Sequence, residues 1–254
     1  MADCSPESVA IDLLRAAHHG GRKLTGVDLE NAVVNFAAAY RIQDAVTRGL
    51  GPVGAFKTGR KSADETPIMA PILADRVRHS PARFSRSELG LVGIELEVAF
   101  RVDRALPDPD DADFADRARD CVCPVVAIEV VDSRLVDHES AHPLWKLADN
   151  QINAGLVYGE PVGNWQGIDL SRVAARLEVA GEAIFDGIAS VPGGDAFDVF
   201  CAFARLVGDH CGGLQPGHLV TTGSVTGLRF IAFGQPVQGW IEGLGAVQVD
   251  FPEV

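Results

Sequence analysis

The stretch VGIELEVAFRV, residues 92–102, alternates between apolar and polar side chains. Its apolar members fall on one side of an extended chain, and the acids Glu95 and Glu97 fall on the other. A period of two is the pattern of a β-strand with one buried face. Two carboxylates on one face of a strand lie about 7 Å apart and repel each other. Either water screens them on a solvated sheet face, or a positive charge lies between them.

A third acid, Glu129, lies in the segment PVVAIEVV, residues 124–131, which is apolar on both faces as in a central strand. A carboxylate buried there costs several kcal/mol unless it is paired or bound to a metal. No His or Cys stands near enough in the sequence to complete a softer ligand set. Three carboxylates of this kind suit a hard divalent cation, Mg²⁺ or Mn²⁺.

Three further polar features lie in segments that are predicted to form strands or turns. Lys57, in GAFKTG, either extends to solvent or points at an anion. The loop TTGSVTG, residues 221–227, offers hydroxyl and backbone N–H donors to an anion, although turn formation alone also explains it. Asn150, in ADNQINAG, binds a polar group or forms a turn.

The net charge of −13 argues against nucleic acid or an anionic membrane as the main partner, since both require basic patches. No apolar run reaches the length of a membrane-spanning helix, and the N-terminus carries acids where a secretory signal carries positive charge. We therefore expect a cytoplasmic protein. The five cysteines contain no C-x-x-C pair, which favours free thiols.

The pattern of elements predicts an α+β fold. Two amphipathic helices are predicted at residues 6–18 and 28–49, and a later one at 195–208. Between and after them, glycine-punctuated runs rich in β-branched residues read as many short strands. Runs of strands without strict βαβ alternation favour a mainly antiparallel sheet, curled or barrel-like. The acidic segment 103–120 reads as a surface loop or a short solvent-facing helix.

A boundary after Pro52 divides the predicted organisation. Residues 1–52 form an N-terminal helical segment that packs on the core, and residues 53–254 form the β-rich catalytic part.

Six stretches in register along the chain resemble the 2-keto-4-pentenoate hydratase / 4-oxalocrotonate decarboxylase family, within the fumarylacetoacetate hydrolase-like superfamily. These stretches are AYRIQDAV, GAFKTG, VGIELEVAFRVDRALP, AIEVVDSR, ADNQINAGLVYG, and GHLVTTGSVTG with GLGAVQVDF. The resemblance implies a distorted β-roll and homo-oligomers. It also implies metal ligands at Glu95, Glu97 and Glu129, an active-site lysine at Lys57, and substrate contacts near Ser224 and Thr226, to which Asn150 is added as a polar candidate.

Several functions fit this resemblance. The leading hypothesis is a Mg²⁺- or Mn²⁺-dependent hydratase that converts a 2-hydroxy-2,4-dienoate to a 4-hydroxy-2-oxo acid in aromatic catabolism. A decarboxylase of the 4-oxalocrotonate type needs a second anion pocket, for which Arg60, Lys61 or Arg76 are candidates. An acylpyruvate-type hydrolase wants a His–Glu pair soon after the lysine strand, and no histidine occurs there before His79. A non-catalytic binding protein is the remaining alternative.

Overall fold

A computed structural model describes residues 5–253 and contains six α-helices within that range. The helices are α1 Pro6–His18, α2 Gly26–Leu29, α3 Phe36–Leu50, α4 Phe114–Ala118, α5 Pro143–Ala148 and α6 Ala196–Val207. None of the helices in this part of the chain is long and apolar enough to cross a membrane.

The strands form two sheets. They are β1 Val53–Gly59, β2 Ile68–Leu73, β3 Val77–His79, β4 Ala82–Arg83, β5 Val92–Val102, β6 Val122–Val131, β7 Asn153–Tyr158, β8 Arg172–Val179, β9 Glu182–Ser190, β10 Leu219–Ser224, β11 Arg229–Ile231, β12 Val237–Ile241 and β13 Gly245–Asp250.

The larger sheet has eight strands in the order β2-β1-β10-β5-β6-β7-β3, with β11 paired to β5 beyond the end of β10. The smaller sheet has five strands in the order β4-β13-β12-β8-β9. Most pairs are antiparallel, and β1–β10, β3–β7 and β4–β13 are the parallel ones in the region described. The α+β class is confirmed, whereas a curled or barrel-like closure of the sheet stays a prediction.

The two faces of the larger sheet have different neighbours because successive side chains of a strand alternate between faces. On one face, Leu96, Phe100 and Ile128 join a large apolar core with the smaller sheet and α6. The other face carries a separate cluster of smaller and aliphatic residues: Ala55, Ile72, Ala99, Val125, Ala127, Leu156 and Leu219. Lys57, Glu97 and Glu129 each stand two residues from a member of this second cluster, so they point to the same face.

Helix α3 is held on the sheet by Tyr40 and Gln43, two polar residues of the AYRIQ stretch. The Tyr40 hydroxyl accepts a hydrogen bond from Met69 N at 3.3 Å. The amide of the buried Gln43 donates to Leu147 O at 2.6 Å and to Met69 O at 3.3 Å, and its oxygen lies 2.7 Å from Nε2 of His210. The α3 glutamine therefore joins an N-terminal helix to three later segments.

The prediction of a single helix over residues 28–49 was wrong. The chain forms α2, leaves helical geometry, and begins α3 at Phe36. The Asn35 side chain accepts the backbone N–H of Ala38 at 2.9 Å and thereby caps a new helix. Apolar spacing continues across this break, which is why periodicity alone did not reveal it.

The acidic segment 103–120 was predicted to be a surface loop or a short solvent-facing helix, and it contains the short helix α4. It does not face solvent throughout, because Phe114 is fully buried beneath the Arg205 guanidinium, 4.6 Å from the ring centroid.

Candidate metal centre and active site

Three carboxylates meet at the border between β5 and β6. Glu95 and Glu97 lie two residues apart on β5, and Glu129 lies directly opposite Glu95 in the antiparallel register. One carboxylate oxygen from each residue lies within 4.8 Å of the other two. The strand alternation thus places the acids on one face, and the neighbouring strand supplies the third.

Lys57 enters this cluster from β1. Its Nζ lies 2.5 Å from Oε1 of Glu129 and 4.0 Å from Oε2 of Glu95. It also donates a long hydrogen bond of 3.4 Å to the backbone carbonyl of Gln151. One ammonium therefore faces three carboxylates, and the cluster carries an excess of negative charge when all four groups are ionised.

The pKa values record this imbalance. Burial, reinforced by the charges of Glu129 and Glu95, raises the pKa of Glu97 well above its usual value. Burial raises the pKa of Glu129 to about 7, although Lys57 opposes the shift. Burial alone would lower the pKa of Lys57, but the facing carboxylates outweigh it and the pKa of Lys57 is raised. The protein groups alone thus leave the carboxylates under-neutralised near neutral pH.

The donor set fits a hard divalent cation. Its ligand atoms are carboxylate oxygens, which Mg²⁺ and Mn²⁺ prefer. Oε2 of Glu129 is buried and has no hydrogen-bond partner among residues 5–253, although buried carboxylate oxygens ordinarily have one. A second positive charge would offset both the burial and the mutual repulsion that raise the pKa values of Glu97 and Glu129.

Strand β10 adds hydroxyls and a backbone donor. Gly223 has a φ of +110°, which glycine adopts without strain, and its N–H donates to Oε2 of Glu97 at 2.7 Å. The hydroxyls of Thr221 and Ser224 are buried and lack partners in the part of the chain that the structure describes. Thr221 lies beside Lys57 in the β1–β10 register. Of these two hydroxyls, that of Ser224 lines the cavity over the carboxylates and is positioned to meet a polar ligand.

A cavity of about 170 Å³, here called the site pocket, opens over these groups. Its lining includes Lys57, Ile68, Glu95, Glu97, Gln151 and Ser224. Within residues 5–253, Lys57 is the one cationic side chain that lines it. The partly exposed Ile68 gives the pocket an apolar wall.

The predicted substrate contacts fall in different places. Ser224 lines the site pocket. Thr226 does not, and its hydroxyl accepts the backbone N–H of Leu96 at 3.3 Å. Asn150 lines a separate cavity of about 560 Å³, here called the second cavity. The next residue, Gln151, lines the site pocket instead. Its backbone carbonyl accepts the hydrogen bond from Lys57, a contact that no sequence motif reveals.

The backbone between these two cavities is strained. Asn150, Gln151 and Ile152 have φ values of +48°, +52° and +53°. Left-handed geometry at residues other than glycine costs on the order of 1–3 kcal/mol each, most for a β-branched residue such as isoleucine. Such strain persists only where the surrounding structure enforces it, and it is often found near functional sites.

Asp44, His210 and Cys211 form another cluster whose potential ligand atoms lie within 4.8 Å. Their bonding capacity is already used. Asp44 accepts the N–H of Cys211 at 3.0 Å and pairs with Arg48 at 2.9 Å, and His210 bonds to Gln43. Burial raises the pKa of the Cys211 thiol to about 12, which opposes the thiolate that a metal needs. This cluster has a structural explanation without a metal.

Comparison with known proteins supports the family expectation. No family model matches the chain. Among curated proteins, 2-keto-4-pentenoate hydratase 2 of Dechloromonas aromatica (strain RCB) is 26% identical over 259 residues, covering 97% of each chain. The 2-keto-4-pentenoate hydratase 1 of the same organism is 26% identical over 254 residues, covering 95% of each. The family resemblance is confirmed.

Solved structures show the same fold. The 4-oxalocrotonate decarboxylase from Pseudomonas putida G7, complexed with magnesium and adipate, has a TM-score of 0.82 at 19% identity, covering 99% of this chain and 98% of that one. Fumarylpyruvate hydrolase from Pseudomonas aeruginosa, in complex with Mn²⁺ and pyruvate, has a TM-score of 0.56 at 18% identity, covering 79% and 89%. The fold of the 4-oxalocrotonate decarboxylase thus matches 99% of this chain, whereas the likeness to the fumarylpyruvate hydrolase covers 79% of it.

Proposed function

We propose that this chain is a divalent-metal-dependent hydro-lyase that adds water to a 2-hydroxy-2,4-dienoate and yields a 4-hydroxy-2-oxo acid. The observation that carries the proposal is the convergence of Glu95, Glu97 and Glu129 with Lys57 beside the site pocket, which Lys57, Glu95 and Glu97 line. Relatives named hydratases match over nearly their full length, which supports the same assignment. A place in aromatic catabolism, a cytoplasmic location and assembly into homo-oligomers remain predictions.

In this proposal the three glutamates hold Mg²⁺ or Mn²⁺. When bound, the cation would act as a Lewis acid and polarise the substrate oxygens. The glutamates would then be ionised together, since a divalent cation compensates the repulsion among them.

Lys57 has the role of recognising and orienting the substrate. Its ammonium is the cation available to a substrate carboxylate, and it lies within proton-transfer distance of Glu129. The overall reaction moves the proton of the C2 hydroxyl to the carbon chain, which leaves an unsaturated ketone, and water then adds its hydroxyl to C4 and a proton to C3. Lys57 can hold the carboxylate or balance the C2 proton, and the Ser224 hydroxyl can donate to a substrate oxygen.

The lining of the site pocket favours hydration over decarboxylation. A diacid substrate needs a second cationic contact, and the candidates Arg60, Lys61 and Arg76 do not line this pocket. Arg60 donates to the carbonyl of Ala63 at 2.8 Å, and Arg76 lines the second cavity, where it approaches Glu88 at 3.4 Å. One lysine and an apolar wall suit a monoanionic substrate with an uncharged tail.

The decarboxylase remains the second candidate because the Pseudomonas putida G7 enzyme shares the fold over the whole chain. The acylpyruvate hydrolase is less well supported. His79 does pair with a glutamate, Glu160, at 3.0 Å, but that pair is solvent-exposed and neither residue lines the site pocket.

The test is to incubate the purified protein separately with 2-hydroxypenta-2,4-dienoate and with 4-oxalocrotonate, in the presence of Mg²⁺, Mn²⁺ or a chelator. We expect the dienoate to disappear with formation of the 4-hydroxy-2-oxo acid, only when metal is present. Faster release of CO₂ from 4-oxalocrotonate would replace the hydratase assignment by the decarboxylase. Equal turnover of the dienoate with chelator would contradict the metal dependence.

A further inference from the structure

We propose that Arg134 is a residue that positions Lys57. It holds the left-handed turn Asn150–Ile152, and the Gln151 carbonyl of this turn accepts a hydrogen bond from Lys57. The inference rests on the proposed function, in which Lys57 acts on the substrate. Arg134 does not line the site pocket, so any effect it has on turnover is transmitted through the turn.

The guanidinium of Arg134 binds the backbone on both sides of the turn. Its Nη2 donates to the carbonyl of Asp149 at 2.9 Å, and its Nη1 donates to the carbonyl of Asn153 at 2.7 Å. Nη1 also donates to the carbonyl of Asp132, at 2.7 Å. One planar group therefore ties the two flanks of the turn to the end of β6, the strand that carries Glu129.

The guanidinium is itself fixed in orientation. Its Nε donates to Oδ1 of Asp149 at 2.6 Å, and the backbone N–H of Arg134 donates to Oδ2 of the same carboxylate at 3.1 Å. Arg134 is 8% exposed and Asp149 is fully buried. A planar fork with several donors can hold these acceptors at once, which a single lysine ammonium cannot reproduce in geometry.

The turn transmits this restraint to the site. Three consecutive non-glycine residues keep positive φ, a conformation that relaxes unless neighbours enforce it. The Gln151 carbonyl at its centre accepts from Lys57 Nζ and lines the site pocket. If the turn relaxes, Lys57 loses its neutral acceptor and retains only the carboxylates. Its ammonium is then held by Glu129 and Glu95 alone and is free to shift from its place beside the Gln151 carbonyl.

The test compares Arg134→Lys with the wild-type protein, using Arg78→Lys as the matched control. Arg78 is a partly buried arginine that pairs with Glu88, and none of its hydrogen bonds or ion pairs within residues 5–253 reaches the turn. We expect Arg134→Lys to lower kcat by about 10- to 100-fold, since a misplacement of about 1 Å can cost this much. Mg²⁺ affinity measured by calorimetry should stay within about twofold, because Arg134→Lys changes neither the number nor the charge of the three carboxylate ligands. Arg78→Lys should leave both values unchanged.

A second readout does not depend on activity. A crystal structure of metal-free Arg134→Lys should show negative φ at Ile152 and a longer separation between Lys57 Nζ and the Gln151 carbonyl. A turn that keeps its positive φ values, or a kcat equal to wild type with only a lower Tm, would show that Arg134 merely supports the fold. Absence of turnover by the wild-type protein would instead refute the proposed function, and the crystallographic result would still decide the role of Arg134.

Asn153→Ser provides the test if Arg134→Lys does not fold. The Asn153 amide braces the same turn by donating to the carbonyls of Asn150 at 2.6 Å and Pro71 at 2.8 Å. This substitution leaves the buried ion pair intact. It should lower kcat in the same direction by a smaller factor, again with unchanged Mg²⁺ affinity. An unchanged kcat in this variant would overturn the proposal.

Discussion

Two buried ionic clusters, one around Glu129 in β6 and one around Asp149, which pairs with Arg134 just after β6, behave in opposite ways. Around Asp149 the charges balance: Arg134 pairs with it, Nε2 of His18 lies 3.5 Å from it, and its pKa is lowered because these partners outweigh burial. Around Glu129 negative charge is in excess, and its pKa is raised to about 7 by burial. A cluster that satisfies its own charges supports the fold, whereas one that leaves charge uncompensated is suited to binding a ligand.

The largest expected effect comes from breaking the balanced cluster. Asp149→Asn leaves Arg134 buried beside a neutral side chain, and we expect the free energy of unfolding to fall by about 3–5 kcal/mol. Urea unfolding followed by circular dichroism measures this loss. Asp186→Asn removes an exposed partner of Arg176 and should change stability by less than about 1 kcal/mol. Equal losses in the two variants would contradict the contrast between the clusters.

The corresponding change in the unbalanced cluster should act on metal binding instead. Glu97→Gln removes one of three anionic ligands, and we expect calorimetry to show Mg²⁺ affinity lowered by about 100-fold or more. In the presence of chelator the variant should be at least as stable as wild type, because like-charge repulsion is reduced. The control, Glu178→Gln, alters a β8 glutamate paired with Arg176. Unchanged Mg²⁺ affinity in Glu97→Gln would remove the chemical centre of the proposal.

Lys57→Met separates substrate handling from metal binding. We expect turnover to fall by about 100-fold, as for loss of a group that acts on the proton or charge of the substrate. Mg²⁺ affinity should not decrease, since the removed group is a cation beside the three ligands. Lys61→Met, which alters an exposed neighbour, should retain full turnover. A parallel loss of metal affinity in Lys57→Met would mean that the lysine organises the carboxylates rather than the substrate.

The smallest expected effect is a pH dependence of stability. Because the folded-state pKa of Glu129 is raised to about 7, the protonated form is favoured by folding, and this stability is lost as pH rises from about 4.5 through 7. We expect chelator-treated protein to lose about 1.4 kcal/mol per pH unit within that range, where Glu129 is protonated in the folded state and ionised in the unfolded state. Mg²⁺ should abolish the slope, and Glu129→Gln should lack it. An identical slope in that variant would assign the titration to other groups.

The sequence anticipated the features that depend on periodicity and burial. The alternation around Glu95 identified a strand with both acids on one face, and the apolar surroundings of Glu129 identified a central strand. Periodicity does not tell which strands become neighbours. The prediction that Glu95, Glu97 and Glu129 share one metal ion nevertheless required the strands that carry them to be adjacent, and β5 and β6 are paired. The roles assigned to these residues remain predictions, although the geometry brings them together.

The features that the sequence did not reveal share a different physical origin. Asn150 and Thr226 were chosen for their side chains, yet the contact with Lys57 is made by the carbonyl of Gln151, and every residue carries a carbonyl. Likewise, the break before α3 depends on a local hydrogen bond that the Asn35 side chain accepts from the backbone N–H of Ala38. This bond ends the helical run although the apolar stripe of the sequence continues across it. Backbone acceptors and capping bonds leave weak traces in composition, so they become visible only in three dimensions.

The anchoring of α3 has a consequence for synthesis of the chain. Gln43 bonds to residues 104 and 167 positions later, at Leu147 and His210. Helix α1 can pack against α3 as soon as both leave the ribosome, but the remaining contacts must wait. At about 5–20 residues per second, His210 is added roughly 10–30 s after Gln43. During this interval the nascent helices expose an apolar surface to chaperones and to neighbouring nascent chains, so docking of the N-terminal segment is a late event of folding.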